Sequence, residues 1–191
     1  FPSRIASVLG GGAGLQNNYS LALDGSNDYV DTGATFQSTF RGSFSISCWI
    51  KPDDGQPSAT EFIMGSRNSA QQDGLELINQ TTGKLKFYYE SNDKVVRAET
   101  ASAVFANGAE SWHHIAVVTD DTANQIYLYL DGSLQTLDGT QDGDLTSDSV
   151  DNSVFTTVDE LFIGARDDNG TAGNFFAGNI DEVSIWNKAL S

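Results

Sequence analysis

The sequence is poor in cysteine, in basic residues and in long apolar runs, and each shortage excludes a class of protein. Its 191 residues contain a single cysteine, Cys48, so no disulfide can form within the chain and a disulfide-held scaffold is excluded. Cys48 lies among alternating apolar residues, which predicts a small core side chain. No apolar run approaches the roughly 20 residues of a membrane-spanning helix, so we expect no membrane insertion.

Basic residues are the second shortage. Ten Lys and Arg stand against 26 Asp and Glu, which gives a formal net charge of −16 and an isoelectric point near 4.1. A surplus of carboxylates repels phosphate backbones, so the composition predicts no nucleic-acid partner. The same surplus is typical of proteins that bind divalent cations and of proteins that use surface charge for solubility.

Helical periodicity is also missing, and the pattern is that of β-strands. Apolar and polar residues alternate in segments separated by turn-forming Asp-Gly, Asn-Asp and Asn-Gly pairs. We predict one all-β domain, a two-sheet antiparallel β-sandwich, with acidic loops at 138–153 and 166–174. The predicted strands are 20–23, 29–32, 43–51, 61–66, 74–79, 84–90, 94–98, 111–119, 125–131, 158–165 and 177–187.

Residues 1–17 are rich in glycine and other small side chains, which predicts a linker or lead-in strand before a domain at 18–191. A phosphate-binding glycine loop would follow a strand and open a helix, and the sequence offers neither neighbour. Because the sequence opens at Phe1 without an initiator methionine or a signal peptide, we expect a segment of a longer secreted protein.

The tryptophans and histidines all fall within predicted strands. Trp49, Trp112 and Trp186 are therefore expected to pack in the core. His113 and His114 are adjacent, so alternation places them on opposite faces of one strand, and we expect both to be structural.

Six segments of the chain occur in an order that is typical of one family. They include Leu23-Asp24-Gly25, Ser47-Cys48-Trp49-Ile50, Trp112-His113-His114-Ile115, Tyr129-Leu130-Asp131-Gly132, Phe162-Ile163-Gly164 and Ile180-Asp181-Glu182-Val183-Ser184-Ile185-Trp186. Over residues 18–191 the sequence resembles the laminin-G-like, pentraxin-related branch of the concanavalin A-like jelly rolls. The resemblance implies the two antiparallel sheets of a jelly roll and a role as a binding module of extracellular proteins.

Some relatives in this fold class are glycosidases, which need two carboxylates facing each other across a cleft. The strand pairs Asp159-Glu160 and Asp181-Glu182 are adjacent, so their side chains point to opposite faces. The sequence shows no nucleophile elbow, zinc-type histidine cluster or Cys/His pair. We predict no enzymatic activity, and a hydrolase stays as a hypothesis that two facing carboxylates in a groove would favour.

Calcium is the predicted cofactor. Residues 24–28 offer several oxygen ligands in one tight turn. In related jelly rolls a structural calcium ties this turn to the C-terminal strand, which implies Asp24, Asn27 and Asp181 as ligands. The alternative is that the first two form an Asx turn and that Asp181 caps a strand. A second acidic loop, 138–149, matches a calcium loop only in part, and a solvated loop is the alternative there.

The predicted ligand site lies on loops, because a glycan site needs planar polar groups and one or two exposed aromatic rings. One of the adjacent Tyr88 and Tyr89 must face outward, where it could stack on a sugar or pack across strands. The candidate ligand-binding residues are Arg67, Asn68, Gln72, Asp73, Asn92, Asp93, Arg166, Asp167, Asp168, Asn169 and Phe175.

Two functional hypotheses follow from these observations. The first is a non-catalytic, lectin-like glycan-binding module of an extracellular or cell-surface adhesin, calcium-stabilised or calcium-dependent, whose partners are glycans of a cell surface or matrix. The alternative is a structural or protein-binding module of a surface fibre or virion appendage, without sugar affinity. An exposed aromatic side chain in a concave polar cluster favours the first, and a flat apolar patch favours the second.

Overall fold

The predicted strands form two antiparallel sheets in a computed structural model that describes residues 19–67, 73–146, 150–157 and 159–191. The predicted linker 1–17 lies outside these residues. The all-β, two-sheet prediction is confirmed, since the one helical element among the described residues is a 3-10 turn, Asn152–Val154. No helix in the described ranges has the length and hydropathy to cross a bilayer.

The described residues form fifteen strands in the two sheets. In chain order they are β1 Leu21–Asp24, β2 Val30–Asp31, β3 Phe44–Pro52, β4 Glu61–Gly65, β5 Gly74–Asn79, β6 Leu85–Ser91, β7 Lys94–Thr100, β8 His113–Asp120, β9 Gln125–Leu130, β10 Ser133–Leu134, β11 Leu137–Asp142, β12 Phe162–Ile163, β13 Arg166–Asp168, β14 Thr171–Gly173 and β15 Ala177–Trp186. A six-stranded sheet has the order β1-β15-β3-β8-β9-β10. A nine-stranded sheet has the order β11-β7-β6-β5-β4-β12-β2, with the β13–β14 hairpin joined to it through β4.

The core lies between the inner faces of the two sheets. In β3 the inward residues Phe44, Ile46, Cys48 and Ile50 are all buried, as alternation predicts. Burial raises the pKa of the Cys48 thiol to about 12, so the cysteine is an inert core residue. Across the sandwich, the Tyr89 ring lies 5.6 Å from that of Phe44, and it also stacks on Phe155 at 5.3 Å.

Two segments predicted as loops contain strands. Segment 138–153 includes most of β11, which pairs with β7 at the edge of the nine-stranded sheet. Segment 166–174 is the β13–β14 hairpin, whose turn residues Asn169 and Gly170 both adopt a positive φ. Their polar composition hid these strands, because neither β11 nor β13 has the apolar alternation by which strands are recognised. The predicted strand 158–165 is reduced to β12, and Val158 lies outside the described residues.

The expectation that the tryptophans pack in the core is wrong. Trp49 and Trp112 are 37% and 39% exposed, and Trp186 is only partly buried. In β3 the even-numbered residues face inward, so Trp49 must face outward, where its ring packs on His114 at 5.2 Å. The outer face of the six-stranded sheet therefore carries Trp49, one of the side chains assigned to the core.

Both histidines have structural contacts. The His113 ring packs on Phe105 at 5.5 Å, and its Nδ1 lies 2.8 Å from Asp131 Oδ2. The backbone N–H of His114 donates to Asp131 Oδ1 at 2.8 Å, so Asp131 fixes both residues at the end of β8.

Candidate functional site

A row of five residues crosses the outer face of the nine-stranded sheet. Arg166 of β13, Gly65 of β4, Glu76 of β5, Tyr88 of β6 and Arg97 of β7 occupy directly opposed positions on five neighbouring strands. Directly opposed residues project to the same face of a sheet. The strands thus gather four polar or aromatic side chains that are far apart in the sequence.

Gly65 leaves the space through which the Arg166 side chain approaches Glu76. A Cβ at this position would lie 3.3 Å from both Cα and Cγ of Arg166, tighter than a comfortable contact. With no side chain in the way, Arg166 Nη1 reaches to 3.5 Å from Glu76 Oε1. The other terminal nitrogen, Nη2, donates to Asp168 Oδ2 at 2.7 Å, which fixes the guanidinium from the side of its own hairpin.

Glu90 organises the neighbouring part of the same face. It lies two residues after Tyr88 on β6, and its Oε2 accepts hydrogen bonds from Tyr88 Oη and Arg67 Nε, both at 2.8 Å. The guanidinium carbons of Arg67 and Arg97 lie 4.8 and 5.1 Å from the centroid of the Tyr88 ring. We call the surface formed by Arg67, Glu76, Tyr88, Glu90, Arg97 and Arg166 the arginine face.

The arginine face holds three of the five arginines, and with Glu76 and Glu90 its formal charge is +1 in a chain whose net charge is −16. The side chains of Glu76 and Glu90 are only 7% and 5% exposed. Burial raises the pKa of Glu76, and the charges of Arg67 and Arg166 oppose that shift. Burial and the hydrogen bond to Glu90 raise the pKa of Tyr88 to about 12, so its hydroxyl stays protonated.

Part of the hydrogen-bonding capacity of this face is unused. Within the described ranges, Arg166 Nε is buried with no hydrogen-bond partner, and Glu76 Oε1 has only its 3.5 Å ion pair. Arg97 is exposed and takes part in none of the ion pairs found among the described residues. The exposed guanidinium of Arg97 therefore has free donors, and such a group suits a carboxylate.

The structure brings three of the predicted ligand-binding residues together. Arg67 and Arg166 belong to the arginine face, and Asp168 hydrogen-bonds to Arg166. Asn68 and Gln72, from the same predicted loop as Arg67, lie outside the described residues.

Other predicted residues shape the backbone instead. Asp73 is buried, and its two oxygens accept hydrogen bonds from Asn92 N at 2.9 Å and from the N–H and hydroxyl of Thr156 at 2.7 and 2.9 Å. Asn92 and Asp93 form the two-residue turn between β6 and β7, with φ of 55° and 58°. These contacts hold the turn that sets the register of Arg97 against Tyr88.

The remaining predicted residues also lie away from the row. Asp167 is buried and accepts from Gly170 N at 2.6 Å, and Asn169 stands in the same turn. Phe175 packs near Tyr29, with ring centroids 6.1 Å apart, and lines a separate cavity of about 300 Å³.

The three predicted calcium ligands are not brought together. Asp24 Oδ1 accepts from the backbone N–H groups of Ser26 and Asn27 at 2.8 and 3.3 Å, which is the Asx-turn alternative. Asp24 pairs with Ala177, whereas Asp181 lies four residues further along β15, about 14 Å away at the usual rise of a strand. In the described part of the chain, no group of three His, Cys, Asp or Glu side chains is placed to hold a metal.

Glu76, Glu90 and Arg97 were missed because the predicted site was confined to loops. A signal for them exists in the sequence. The Asn92-Asp93 turn fixes a two-residue hairpin, which places Arg97 opposite Tyr88 and leaves Glu90 on the same face. Of the two adjacent tyrosines, Tyr88 faces outward and Tyr89 lies in the core, so one tyrosine does face outward as predicted.

Residues 24–191 match a family model described as the concanavalin A-like lectin/glucanases superfamily, of the laminin-G type. The chain belongs to this superfamily. The predicted laminin-G-like resemblance is therefore confirmed over most of the chain. A search of curated proteins found no significant match.

Solved structures show the fold of the concanavalin A-like superfamily at low sequence identity. The CBM40 of the Ruminococcus gnavus IT-sialidase, bound to α2,3-sialyllactose, has 15% identity and a TM-score of 0.66 over 91% of this chain and 90% of that chain. The NanB sialidase of Streptococcus pneumoniae has 16% identity and a TM-score of 0.68 over 91% of this chain and 26% of its own. The SAP-like pentraxin of Limulus polyphemus has 17% identity and a TM-score of 0.53, over 79% and 66%.

Proposed function

We propose that this chain is a non-catalytic glycan-binding module and that the arginine face is its binding surface, with a carboxylate-bearing sugar as the recognised group. The observation that carries the proposal is the row from Arg166 to Arg97, which collects guanidinium groups on one face of an acidic chain. A net charge of −16 repels anions elsewhere, so a local cluster of arginines is the surface to which an acidic sugar would be drawn.

The chemistry of the face fits such a sugar. Guanidinium groups bind carboxylates through two parallel N–H donors, and the exposed Arg97, stacked on Tyr88, presents its donors in a fixed orientation. The Tyr88 ring, which faces outward beside Arg67 and Arg97, adds an aromatic surface of the kind that glycan sites use.

A structural neighbour supports this choice of ligand class. The R. gnavus CBM40 was solved bound to α2,3- and to α2,6-sialyllactose, and its fold matches 91% of this chain. Sialyllactose is therefore the first probe, and lactose is the matched neutral sugar.

One observation bears on the rival glycosidase hypothesis. Glu76 and Glu90 are diagonal neighbours on β5 and β6, and such neighbours are about 7–8 Å apart, within the range of glycosidase carboxylates. Glu90 is already engaged by Arg67 and Tyr88, and Glu76 by Arg166, so both carboxylates serve to hold arginines. We expect no hydrolysis of sialyllactose or of an aryl glycoside by the isolated chain.

Binding to sialyllactose and to lactose, measured by calorimetry, tests the proposal. We expect binding of sialyllactose only, at least tenfold loss of affinity in Arg97→Ala, and less than twofold change in Lys94→Ala, which removes an equal charge from the same strand. Equal binding of lactose, or the same loss in both variants, would contradict a carboxylate site at Arg97.

Absence of binding to any sialylated glycan by the folded chain would favour the alternative, a structural or protein-binding module. The adhesin context, the extracellular location and the dependence on calcium stay predictions. Repeating the calorimetry in millimolar calcium and in EGTA tests the last of them.

A further inference from the structure

A cavity of about 300 Å³ lies apart from the arginine face. Its lining comes from the turn after β1, from residues 57–61 at the start of β4, and from residues 174–175 between β14 and β15. Glu61 is four residues before Gly65 of the row, about 13 Å at the usual rise of a strand. The volume is at the small end of ligand pockets, which suits a single sugar unit.

The walls of this cavity are held by backbone contacts. Asn174 has a φ of 55°, its carbonyl accepts from Phe62 N at 2.9 Å, and its side-chain amide donates to Thr60 O at 3.4 Å. Gly25 has a φ of 72°, and a Cβ there would lie only 2.8 Å from Cβ of Ala177. The turn after β1 therefore packs directly on the start of β15, and the cavity is preformed, as ligand sites usually are.

Phe175 gives the cavity an aromatic wall. Its ring centroid lies 6.1 Å from that of Tyr29, which lies 4.7 Å from that of Phe162. Phe162 is buried, whereas Tyr29 is 41% exposed and Phe175 is partly exposed. A buried ring thus anchors an accessible aromatic surface beside the cavity, where an apolar part of a ligand could pack.

The polar groups of the lining suit an uncharged ligand. They include the hydroxyls of Ser58 and Thr60 and the amide of Asn174, which together can both donate and accept hydrogen bonds. The lining residues that the structure describes include no lysine or arginine. A carboxylate-bearing sugar therefore has no counter-ion in this cavity.

The one carboxyl group of the lining belongs to Glu61. Burial, with smaller contributions from Asp54 and Asp53, raises its pKa to about 7, so a negative ligand would be repelled further. The Glu61 carboxyl already accepts hydrogen bonds from the Ala177 N–H and the Asn79 amide. Its hydrogen bonds are thus made within the protein, and recognition is left to the hydroxyls, the Asn174 amide and the Phe175 ring.

We infer that this cavity binds an N-acetylated hexosamine unit of a glycan, with the acetamido group against Phe175 and Asn174. An acetamido group has an N–H, a carbonyl oxygen and a methyl group, which match the amide, the hydroxyls and the aromatic ring of the lining. A plain hexose lacks this group. A single sugar in so small a site is expected to bind with a Kd on the order of 1 mM. The inference is independent of the arginine face.

Titration with methyl β-N-acetylglucosaminide, followed by two-dimensional NMR of the ¹⁵N-labelled chain, tests the inference, and methyl β-glucoside is the matched sugar. We expect the amide signals of Thr60, Glu61 and Phe175 to shift with the first sugar and an affinity at least tenfold lower for the second. Equal affinity for both sugars, or no shift of these signals at about 10 mM of the first, would overturn the site.

Two variants of the cavity test the contacts. Phe175→Ala should lower the affinity for methyl β-N-acetylglucosaminide at least fivefold, whereas Leu134→Ala, which removes an exposed apolar side chain of β10, should change it less than twofold. Asn174→Asp keeps the shape of the side chain and loses the amide donors, so it should cost at least fivefold as well. Asn169→Asp, the same change at another position with positive φ, is its control. Wild-type affinity in either folded cavity variant would contradict the inferred contacts.

Exchange of the two sugars between variants separates this cavity from the arginine face. Arg97→Ala should keep its affinity for methyl β-N-acetylglucosaminide, and Phe175→Ala should keep its affinity for sialyllactose. Loss of both affinities in either folded variant would mean that the two sugars share one site, and it would overturn the separate cavity site.

Discussion

The two ends of the β4–β5 hairpin differ in how the charges of their buried carboxylates are compensated. At one end Glu76 lies near Arg166, and Arg67 pairs with Glu90 on the next strand. At the other end Glu61 takes part in none of the ion pairs of the described residues, Asp54 and Asp53 add negative charge around it, and its Oε2 has no hydrogen-bond partner. A buried charge is stable when a partner compensates it, so one end carries its cations as side chains and the other favours a bound proton.

Removing the cation from the compensated end should have the largest effect. Arg67→Ala leaves Glu90, 5% exposed, with only the Tyr88 hydroxyl, and we expect the free energy of unfolding to fall by about 2–3 kcal/mol at pH 7. Urea unfolding measures the loss, with Lys94→Ala as the control. Adding Glu90→Gln to Arg67→Ala should restore about half of it; a loss below about 0.5 kcal/mol in the single variant would show that the pair is not needed.

Removing the charge from the uncompensated end should stabilise the protein at pH values above the folded pKa of Glu61. The folded pKa of Glu61, about 7, lies above its ordinary value of 4.5, so its contribution to stability is present below pH 4.5 and is lost as pH rises through 7. Glu61→Gln has no such loss. Its advantage over the wild-type chain should grow between pH 5 and pH 8 to about 1–2 kcal/mol, allowing for solvent screening. Parallel pH profiles of urea unfolding for the two proteins would contradict it.

A substitution at Gly65, within the row, should lower the affinity for sialyllactose with only a small loss in the free energy of unfolding. Gly65→Ala places a methyl group 3.3 Å from Arg166, so we expect sialyllactose affinity to fall about three- to tenfold and the free energy of unfolding by about 1 kcal/mol or less. Gly139→Ala, whose Cβ would meet nothing within 4 Å, is the matched control for calorimetry. Equal affinities of the two variants would mean that Arg166 does not contact the ligand.

The smallest effect is expected on the opposite sheet. Trp49→Ala removes an exposed ring and its contact with His114, which should lower the free energy of unfolding by about 0.5–1 kcal/mol and leave sialyllactose affinity unchanged. A fall in affinity would instead place the ligand on the outer face of the six-stranded sheet.

The sandwich could be predicted because inward positions alternate strongly in the long central strands, as in β3 and β8. The same alternation places Trp49 on the outward face, whereas its position within a strand had predicted a core residue, and that prediction was wrong. The β13–β14 hairpin could not be found this way, since Arg166, Asp167 and Asp168 show no apolar alternation.

The candidate site was predictable only in part. Arg67 and Arg166 were chosen as planar polar groups on presumed loops, and both belong to the arginine face. Their partners Glu76 and Glu90 lie on strands of another hairpin, so their proximity depends on sheet order, which local patterns do not contain. The separation of two predicted calcium ligands depends on sheet order in the same way, because the pairing of β1 with β15 decides how far Asp24 lies from Asp181, and calcium binding itself stays a prediction.

The five positions of the row from Arg166 to Arg97 also have a fixed spacing across the sheet. They lie on five adjacent strands about 4.8 Å apart, so the row is about 19 Å long, and backbone pairing sets that spacing. A substitution at one position changes one chemical group at a fixed interval and leaves the other intervals alone. Substitutions at successive positions of this row could therefore show which unit of a linear glycan lies over which strand.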